Sequence, residues 1–271
     1  MGIGNMAVGS ILRLKIRGEH RCFRVMHHGK PSDLYDDTWL GGTILMMDWS
    51  EEPYYQSVSP GTRRNYASSS AHSWLNGLWF GYLDEGLQDV VKEVHLPYRT
   101  DTNNAPYEVD HGANGLAAKA WLPSAVEVAR GSAYESDQST FYVEEGSVFD
   151  YWKNAGAERY ADWACFDDTG ADIGWSIRTI NKNYTGNDSI FYNVVRQDGL
   201  AASGAKQKGY LRPCLVLPSD LPVDGELVKA DGNFPVKTDG VWRTGATGVK
   251  IGGIWHSVAA PAAKINGAWK Q

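Results

Sequence analysis

The hydrophobic period of this chain changes twice along its length, and that order limits what it can fold into. Leu12, Leu14 and Ile16 alternate with Arg13, Lys15 and Arg17, and after Gly18-Glu19-His20 comes Cys22-Phe23-Arg24-Val25-Met26. Such alternation on both sides of a glycine break predicts a β-hairpin. Gly41-Gly42 opens Thr43-Ile44-Leu45-Met46-Met47, an apolar run of strand length that predicts a central strand. From Ser70 the spacing turns helical, because Ala71, Trp74, Leu75, Leu78, Trp79, Tyr82 and Leu83 share one face, weakened locally by Gly77 and Gly81. Trp74, Trp79 and Tyr82 are therefore core candidates. Leu87, Val90, Val91 and Val94 continue the spacing as a second short helix after Asp84, until Pro97 ends it. Ser124 and Glu127 make an S-x-x-E capping box behind Trp121-Leu122-Pro123, which predicts a third helix, and a fourth short one is expected from Phe149 to Ala155. Strand patterns return at 161–166, 174–177, 190–195 and 211–217. Strands, then helices, then strands predict an α+β fold.

Composition narrows the function. Lys plus Arg number 26 against 32 Asp plus Glu, a net charge of -6, which argues against a nucleic-acid groove built to neutralise phosphates. No apolar run reaches 18 residues, so no membrane insertion is expected. Met1 to Gly18 lack a basic start, an apolar stretch and a small-residue cleavage site, so no secretory signal peptide is expected. Cys22, Cys165 and Cys214 are far apart with no CxxC, which fits neither a disulfide framework nor a zinc site; Cys165 and Cys214 sit in apolar settings and read as buried, inert thiols. The 11 Trp and 14 Tyr suit a packed β-rich protein or a recognition surface.

Beyond Leu217 the composition shifts. Pro218-Ser219-Asp220-Leu221-Pro222-Val223-Asp224-Gly225 reads as the start of a linker, taken as 218–230. Residues 231–271 hold an internal repeat: Lys237-Thr238-Asp239-Gly240-Val241-Trp242, Lys250-Ile251-Gly252-Gly253-Ile254-Trp255 and Lys264-Ile265-Asn266-Gly267-Ala268-Trp269. Asp-Gly, Gly-Gly and Asn-Gly suit two-residue turns with positive φ, so each copy predicts one tight hairpin with a Trp just past the turn. Single hairpins are marginal alone, so Trp242, Trp255 and Trp269 are expected either to pack the hairpins or to dock them on a partner.

No G-x-S-x-G, phosphate loop or dinucleotide fingerprint occurs. His27 and His28 are adjacent and on a strand would face opposite ways, while His72, His95 and His111 are scattered, so no zinc site is expected. Asp162, Asp167, Asp168 and Asp172 surround Gly170; Asp167, Asp168 and Asp172 are candidate calcium ligands, against the plainer reading of a solvated acidic turn. No other cofactor is expected. Asp33, Asp36 and Asp37, or Glu144 with Glu145, would suit a glycosidase only if two carboxyls faced each other about 5 to 10 Å apart, and exposed loop carboxylates are the expectation. The segment Asn181 to Asp188 is polar with one aromatic, Tyr184; an aromatic among amides can stack on a sugar ring while the amides bond its hydroxyls.

Several blocks in order carry a family resemblance: Phe23 to Ser32 with Tyr35, Asn65-Tyr66, Ser70 to Asn76, Val94 to Tyr98, Lys119 to Ser124 with Glu127-Val128, Trp175 to Thr179, and Gly209 to Leu217. Residues 1–217 thereby resemble an uncharacterised domain family common in gut-bacterial prophages and phages, similar in layout to C-type-lectin-like and formylglycine-generating-enzyme-like domains. The resemblance implies a C-type-lectin-like main domain with no catalytic residues to carry over, since the oxidase chemistry needs paired reactive cysteines that this chain lacks. It implies a ligand-binding surface on Asn181, Asn183, Tyr184, Asn187, Asp188 and Tyr192, with Trp175 and Arg178 supporting the fold. The tail units resemble Lys-x-x-Gly-x-Trp repeats of phage tail and virion proteins, which implies docking through Trp242, Trp255 and Trp269 onto other virion proteins. The expected function is non-enzymatic recognition of a host cell-surface ligand, a glycan among the candidates, by a protein of the virion surface, on the tail or capsid exterior. A homo-oligomer is expected, because weak sites gain avidity when several copies act together. The alternatives are a purely structural or decorating virion subunit and an enzyme acting on glycan or cell-wall material.

Overall fold

The computed structural model describes residues 2–48, 51–55, 66–100, 108–129, 145–153 and 208–223, strand segments at 165–166, 172–173, 175–180, 192–196, 199–203 and 228–230, and six short strands between 235 and 270. The chain divides into two units, residues 1–229 and 230–271. The first is α+β and mostly sheet.

Its main sheet has six strands in the order Val228–Ala230, Ile11–Ile16, Glu19–His28, Gly42–Met47, Cys214–Pro218 and Ala120–Trp121. The expected hairpin forms with Ile16 opposite Glu19 and Ile11 opposite Arg24. Its turn is Arg17-Gly18, with φ of 52° and 79°, so Glu19 and His20 belong to the strand rather than to the break. Positive φ at both turn residues is the twist that two-residue hairpins require. Arg17 is held there by its N–H to the Tyr82 carbonyl (2.8 Å) and by its guanidinium lying 3.5 Å from the Tyr82 ring centre.

Gly42–Met47 is the central strand expected, buried at every position between Glu19–His28 and Cys214–Pro218. Thr43, its one polar side chain, places its hydroxyl 3.1 Å from His28 Nδ1 and 3.0 Å from Ser219 Oγ, which removes the cost of an unpaired buried hydroxyl. Val25 faces Leu45 while His27 faces Ile44, so Met26 is an extra residue, a β-bulge. The bulge breaks the alternation and turns Val25, Met26 and His27 all toward the interior.

The expected helix from Ser70 forms as three joined pieces: α-helix Ser70–Trp74, one π turn Leu75–Trp79 and 3-10 turn Phe80–Tyr82. Ser69 Oγ accepts the His72 N–H at 3.1 Å as N-cap. The wider π turn brings Ala71, Leu75, Trp79 and Leu83 into the core at intervals of four. Trp74 and Tyr82 are only partly buried and Leu78 is 58% exposed, which corrects their place in the expected core face, while Trp79 is core as expected. Asn76 fastens this helix to the sheet: Oδ1 accepts the N–H groups of Lys119 (2.8 Å) and Ala120 (3.1 Å), and Nδ2 donates to the Ala120 carbonyl (2.8 Å).

The second helix is Glu85–Val90, capped by Asp84, but Val94 starts strand Val94–Leu96, which pairs with Leu116–Ala118. A short helix Asp150–Lys153 stands where the fourth was expected. The apolar run 211–217 is not one strand. Lys208–Leu211 and Cys214–Pro218 belong to different sheets, and between them Pro213 accepts the Met47 N–H at 2.9 Å while Arg212 Nε donates to the Met47 carbonyl at 2.9 Å. Proline offers no donor to continue a ladder, so the chain changes sheets there. The second sheet has the order Gly199–Ser203, Tyr192–Arg196, Trp175–Ile180, Lys208–Leu211 and Glu51–Tyr55.

The stretch expected as a linker, 218–230, instead packs on the first unit wherever it is described. Ile3 N–H donates to Leu221 O (2.9 Å), Gly4 N–H to Ser219 O (2.7 Å), Val223 and Val228 are buried, and Val228–Ala230 is an edge strand of the main sheet. Ser219 and Asp220 make a turn, but Val223 and Val228 are core. Cys214 is buried, and burial pushes its thiol well up, as suits an inert side chain.

The second unit contains three hairpins, each with two residues between its strands: Pro235–Thr238 with Val241–Thr244, Gly248–Ile251 with Ile254–Ser257, and Ala263–Ile265 with Ala268–Lys270.

Two outcomes test this packing. Asn76→Ala strands the Lys119 and Ala120 amides and is expected to lower unfolding free energy by about 2–3 kcal/mol in urea melts, whereas Leu78→Ala is expected to change it by about 0.5 kcal/mol or less.

Candidate functional site

Strand Trp175–Ile180 leads directly into the predicted ligand-binding segment, and its side chains are buried from Trp175 through Thr179 on both faces. Ile180 stands opposite Tyr192, first residue of Tyr192–Arg196, so residues 181–191 connect two antiparallel neighbours and spring from a paired root. Asn181, Asn183, Tyr184, Asn187 and Asp188 lie outside the described residues, as do Asp167 and Asp168. Asp172 opens strand Asp172–Ile173, opposite Phe166. Among the described residues no group of three or more His, Cys, Asp or Glu side chains gathers to hold a metal.

The root is fixed by a fully buried ion pair. Arg178 Nη1 donates to Glu127 Oε2 (2.5 Å) and Nη2 to Oε1 (2.8 Å), with both side chains at zero exposure. Arg178 also donates to three carbonyls from three segments: Leu122 (3.0 Å), Pro97 (3.3 Å) and Glu145 (2.7 Å). Its own backbone N–H donates to Pro123 O at 2.9 Å. Glu127 accepts in addition from the Tyr35 hydroxyl (2.8 Å) and the Ser124 N–H (3.0 Å). Burial works against the guanidinium charge, and Glu127 more than compensates, raising its pKa further. Burial, with the Glu127 carboxylate beside it, keeps the Tyr35 phenol protonated well above its ordinary range.

The capping box read from the sequence forms, since Ser124 Oγ accepts the Glu127 N–H at 3.1 Å while Glu127 reaches back to the Ser124 N–H. No helix follows. After one turn Ala129 has a φ of 58°, and Glu127's carboxylate is directed into the core toward Arg178. Where the third helix was expected to start, the described residues form a turn that positions an acid. Thr179 joins the cluster by accepting the Ala125 N–H (2.9 Å).

The carboxylates read as exposed loop groups separate. Asp33 and Asp37 are exposed, but Glu145 is buried, which raises its pKa, and its Oε1 accepts the Arg99 N–H at 3.3 Å. Asp36 is partly buried: it caps the turn Asp37–Trp39 by accepting the Thr38 N–H (3.1 Å), and its other oxygen lies 2.5 Å from His95 Nδ1. Burial opposes ionisation of Asp36, but the hydrogen bonds from Thr38 and His95 outweigh it and hold the carboxyl below its ordinary 3.8. His95 lies 59 positions away in the chain, and sequence spacing carried no sign of this dyad. Its work is local, because the same strand's His95 carbonyl accepts from Trp39 Nε1 at 3.0 Å. Glu127 and Glu145 both approach Arg178 and are buried rather than exposed on a loop. His27 and His28 do not share a task either: His27 is buried with Asp150 at 2.9 Å, and His28 reaches the Met6 carbonyl at 2.8 Å.

Chemically, the Arg178 cluster is closed. Glu127 meets the Arg178 charge and the two Nη groups also reach three backbone carbonyls, while Nε is buried without a hydrogen-bond partner, so the cluster orders chain segments. One signal in the sequence pointed to it: an arginine inside Trp175-Ser176-Ile177-Arg178-Thr179, a run otherwise suited to burial, must find a buried acid. Which acid was not legible, as Glu127 lies 51 residues before it.

Breaking one side of this pair is expected to be costly. Glu127→Gln should lower unfolding free energy by about 3–5 kcal/mol in urea melts, and a change below about 1 kcal/mol would show that the pair does not hold the root. A pH effect follows from His27, which burial holds below its ordinary 6.5 despite the attraction of Asp150. The unfolded chain takes up that proton first, so stability is lost as pH falls below 6.5 toward the lowered value. Melting temperature of the native protein should therefore drop more steeply from about pH 7 to 5 than that of His27→Gln; parallel curves would contradict the assignment.

The sequence pattern of a family described as Domain of unknown function (DUF6273) matches residues 41–219, a span that holds Asn76, Glu127, Glu145, Arg178 and the root of segment 181–191. Neither a curated protein nor a solved structure matches the chain. Over residues 41–219 the chain belongs to the DUF6273 family.

Proposed function

We propose that the first unit is a non-catalytic recognition module of a virion surface, with a C-type-lectin-like layout, which presents residues 181–191 to a host cell-surface glycan. The observation that carries this reading is the contrast at the segment's root. A polar, amide-rich stretch with one tyrosine is joined at Ile180 and Tyr192 to a strand whose preceding residues are buried and locked by the Glu127–Arg178 pair. Binding groups carried on a connection between rigid elements keep their geometry at low entropic cost. Tyr184 would stack on a sugar ring, with Asn181, Asn183, Asn187 and Asp188 bonding its hydroxyls. No chemistry on the ligand is proposed, since Glu127 is held by Arg178 and Tyr35, Glu145 is buried, and Asp36 caps a turn beside His95.

Binding of the full chain to intact host-type bacteria, presented as multimers so that avidity is retained, tests this. Tyr184→Ala is expected to weaken binding at least about tenfold, roughly 1.4 kcal/mol, with its melting temperature unchanged. Equal binding by the variant would remove the segment from the account, and no binding by either protein would favour a structural virion subunit. Loss of binding in EDTA would bring Asp167, Asp168 and Asp172 in as calcium ligands.

A further inference from the structure

The second unit repeats one rung three times. Lys237 stands directly opposite Trp242, Lys250 opposite Trp255 and Lys264 opposite Trp269, each one rung out from the pair flanking the turn. Directly opposed residues share one face of a hairpin. The rung beside the turn belongs to the other face and is largely apolar: Thr238 with Val241, Ile251 with Ile254, Ile265 with Ala268. Each Trp is followed by a basic or imidazole residue, Arg243, His256 or Lys270.

Charge separates the two units. Residues 230–271 contain five of the chain's 26 Lys and Arg but only two of its 32 Asp and Glu, so this unit is net +3 while the first carries -9. Asp231 and Asp239 are its only acids, too few to pair five cations. Within the unit, the Lys237, Lys250 and Lys264 rungs therefore carry positive charge that its own acids do not balance. A tryptophan directly opposite a lysine, repeated at intervals of 13 and 14 residues, places a flat apolar ring beside a cation three times over. Indole offers a flat apolar surface, the ammonium a charge, and the repetition suits a ligand that repeats as well.

From this juxtaposition we infer that the Lys237–Trp242, Lys250–Trp255 and Lys264–Trp269 rungs form a binding array for an anionic polysaccharide, a polymer of sugar rings bearing carboxylate or phosphate. Each indole stacks on a ring and each lysine pairs with a nearby anionic group. The array belongs to the second unit and does not depend on residues 181–191.

The full chain is tested on three immobilised polymers: polygalacturonate, with rings and charge; dextran, with rings alone; polyphosphate, with charge alone. Polygalacturonate is expected to bind at least about tenfold more tightly than either of the others, and to weaken at least about tenfold between 50 and 300 mM NaCl. The variant Lys237→Gln/Lys250→Gln/Lys264→Gln should lose at least about tenfold in polygalacturonate affinity. Dextran bound as tightly would make charge irrelevant, polyphosphate bound as tightly would make the indoles irrelevant, and either result overturns the inference. So would absence of polygalacturonate binding by the native chain. The polymer and salt comparisons use the native chain alone, so they decide the matter even if the lysine variant misfolds.

Discussion

Two opposite charges at zero exposure, Glu127 and Arg178, are the constraint around which the first unit is arranged. Removing a carboxylate and a guanidinium from water costs several kcal/mol per ion even after relaxation, and attraction between them offsets that only if geometry is good and the remaining polar atoms find partners. Here the two-pronged contact is met, and Arg178 donates to carbonyls of Pro97, Leu122 and Glu145 besides. Those carbonyls come from three different parts of the chain, and Tyr35 brings a fourth through Glu127. The pair therefore sets position more than it adds net stability. Any arrangement that moved one segment would leave a buried charge or carbonyl unpaired, which disfavours near-native alternatives strongly.

This explains why blocks scattered through the sequence meet in space. Pro97, Leu122-Pro123-Ser124, Glu127 and Trp175 to Thr179, which are separate stretches of the resemblance, form the walls of one polar centre. Tyr66 closes it on another side by accepting the Leu122 N–H at 3.0 Å.

Local signals carried much of the fold and little of the site. Alternation at Leu12, Leu14 and Ile16 and the apolar run Thr43 to Met47 stated the hairpin and the central strand, because strand burial follows a period of two or none. Asp84 marked its helix because a cap needs a neighbour only two residues on. Where the outcome depended on distant partners the sequence was silent. Ser124 and Glu127 had the right spacing to begin a helix, yet Arg178 drew the acid inward and one turn sufficed. Leu78 shared the helical face on paper, but a π turn rotated it out. Residues 218–230 looked like a linker because they open on turn-forming Pro, Ser, Asp and Gly, while Val223 and Val228 fill the main core. Glu145 looked like a loop carboxylate next to Glu144, and only the position of Arg99 and Arg178 reveals it as an interior group.

The central claim is that the strand bearing the root of residues 181–191 is part of the same cooperative core as the main sheet, through Arg178. Native-state hydrogen exchange tests it most directly, read at the Arg178 amide, which donates to Pro123 O, and at the Met47 amide of the central strand, which donates to Pro213 O. The account predicts equal protection at the two amides, both opening only with global unfolding. Exchange at Arg178 about a hundredfold faster than at Met47, a gap of roughly 2.7 kcal/mol in opening free energy, would mean that the root frays on its own and that the buried pair does not hold it.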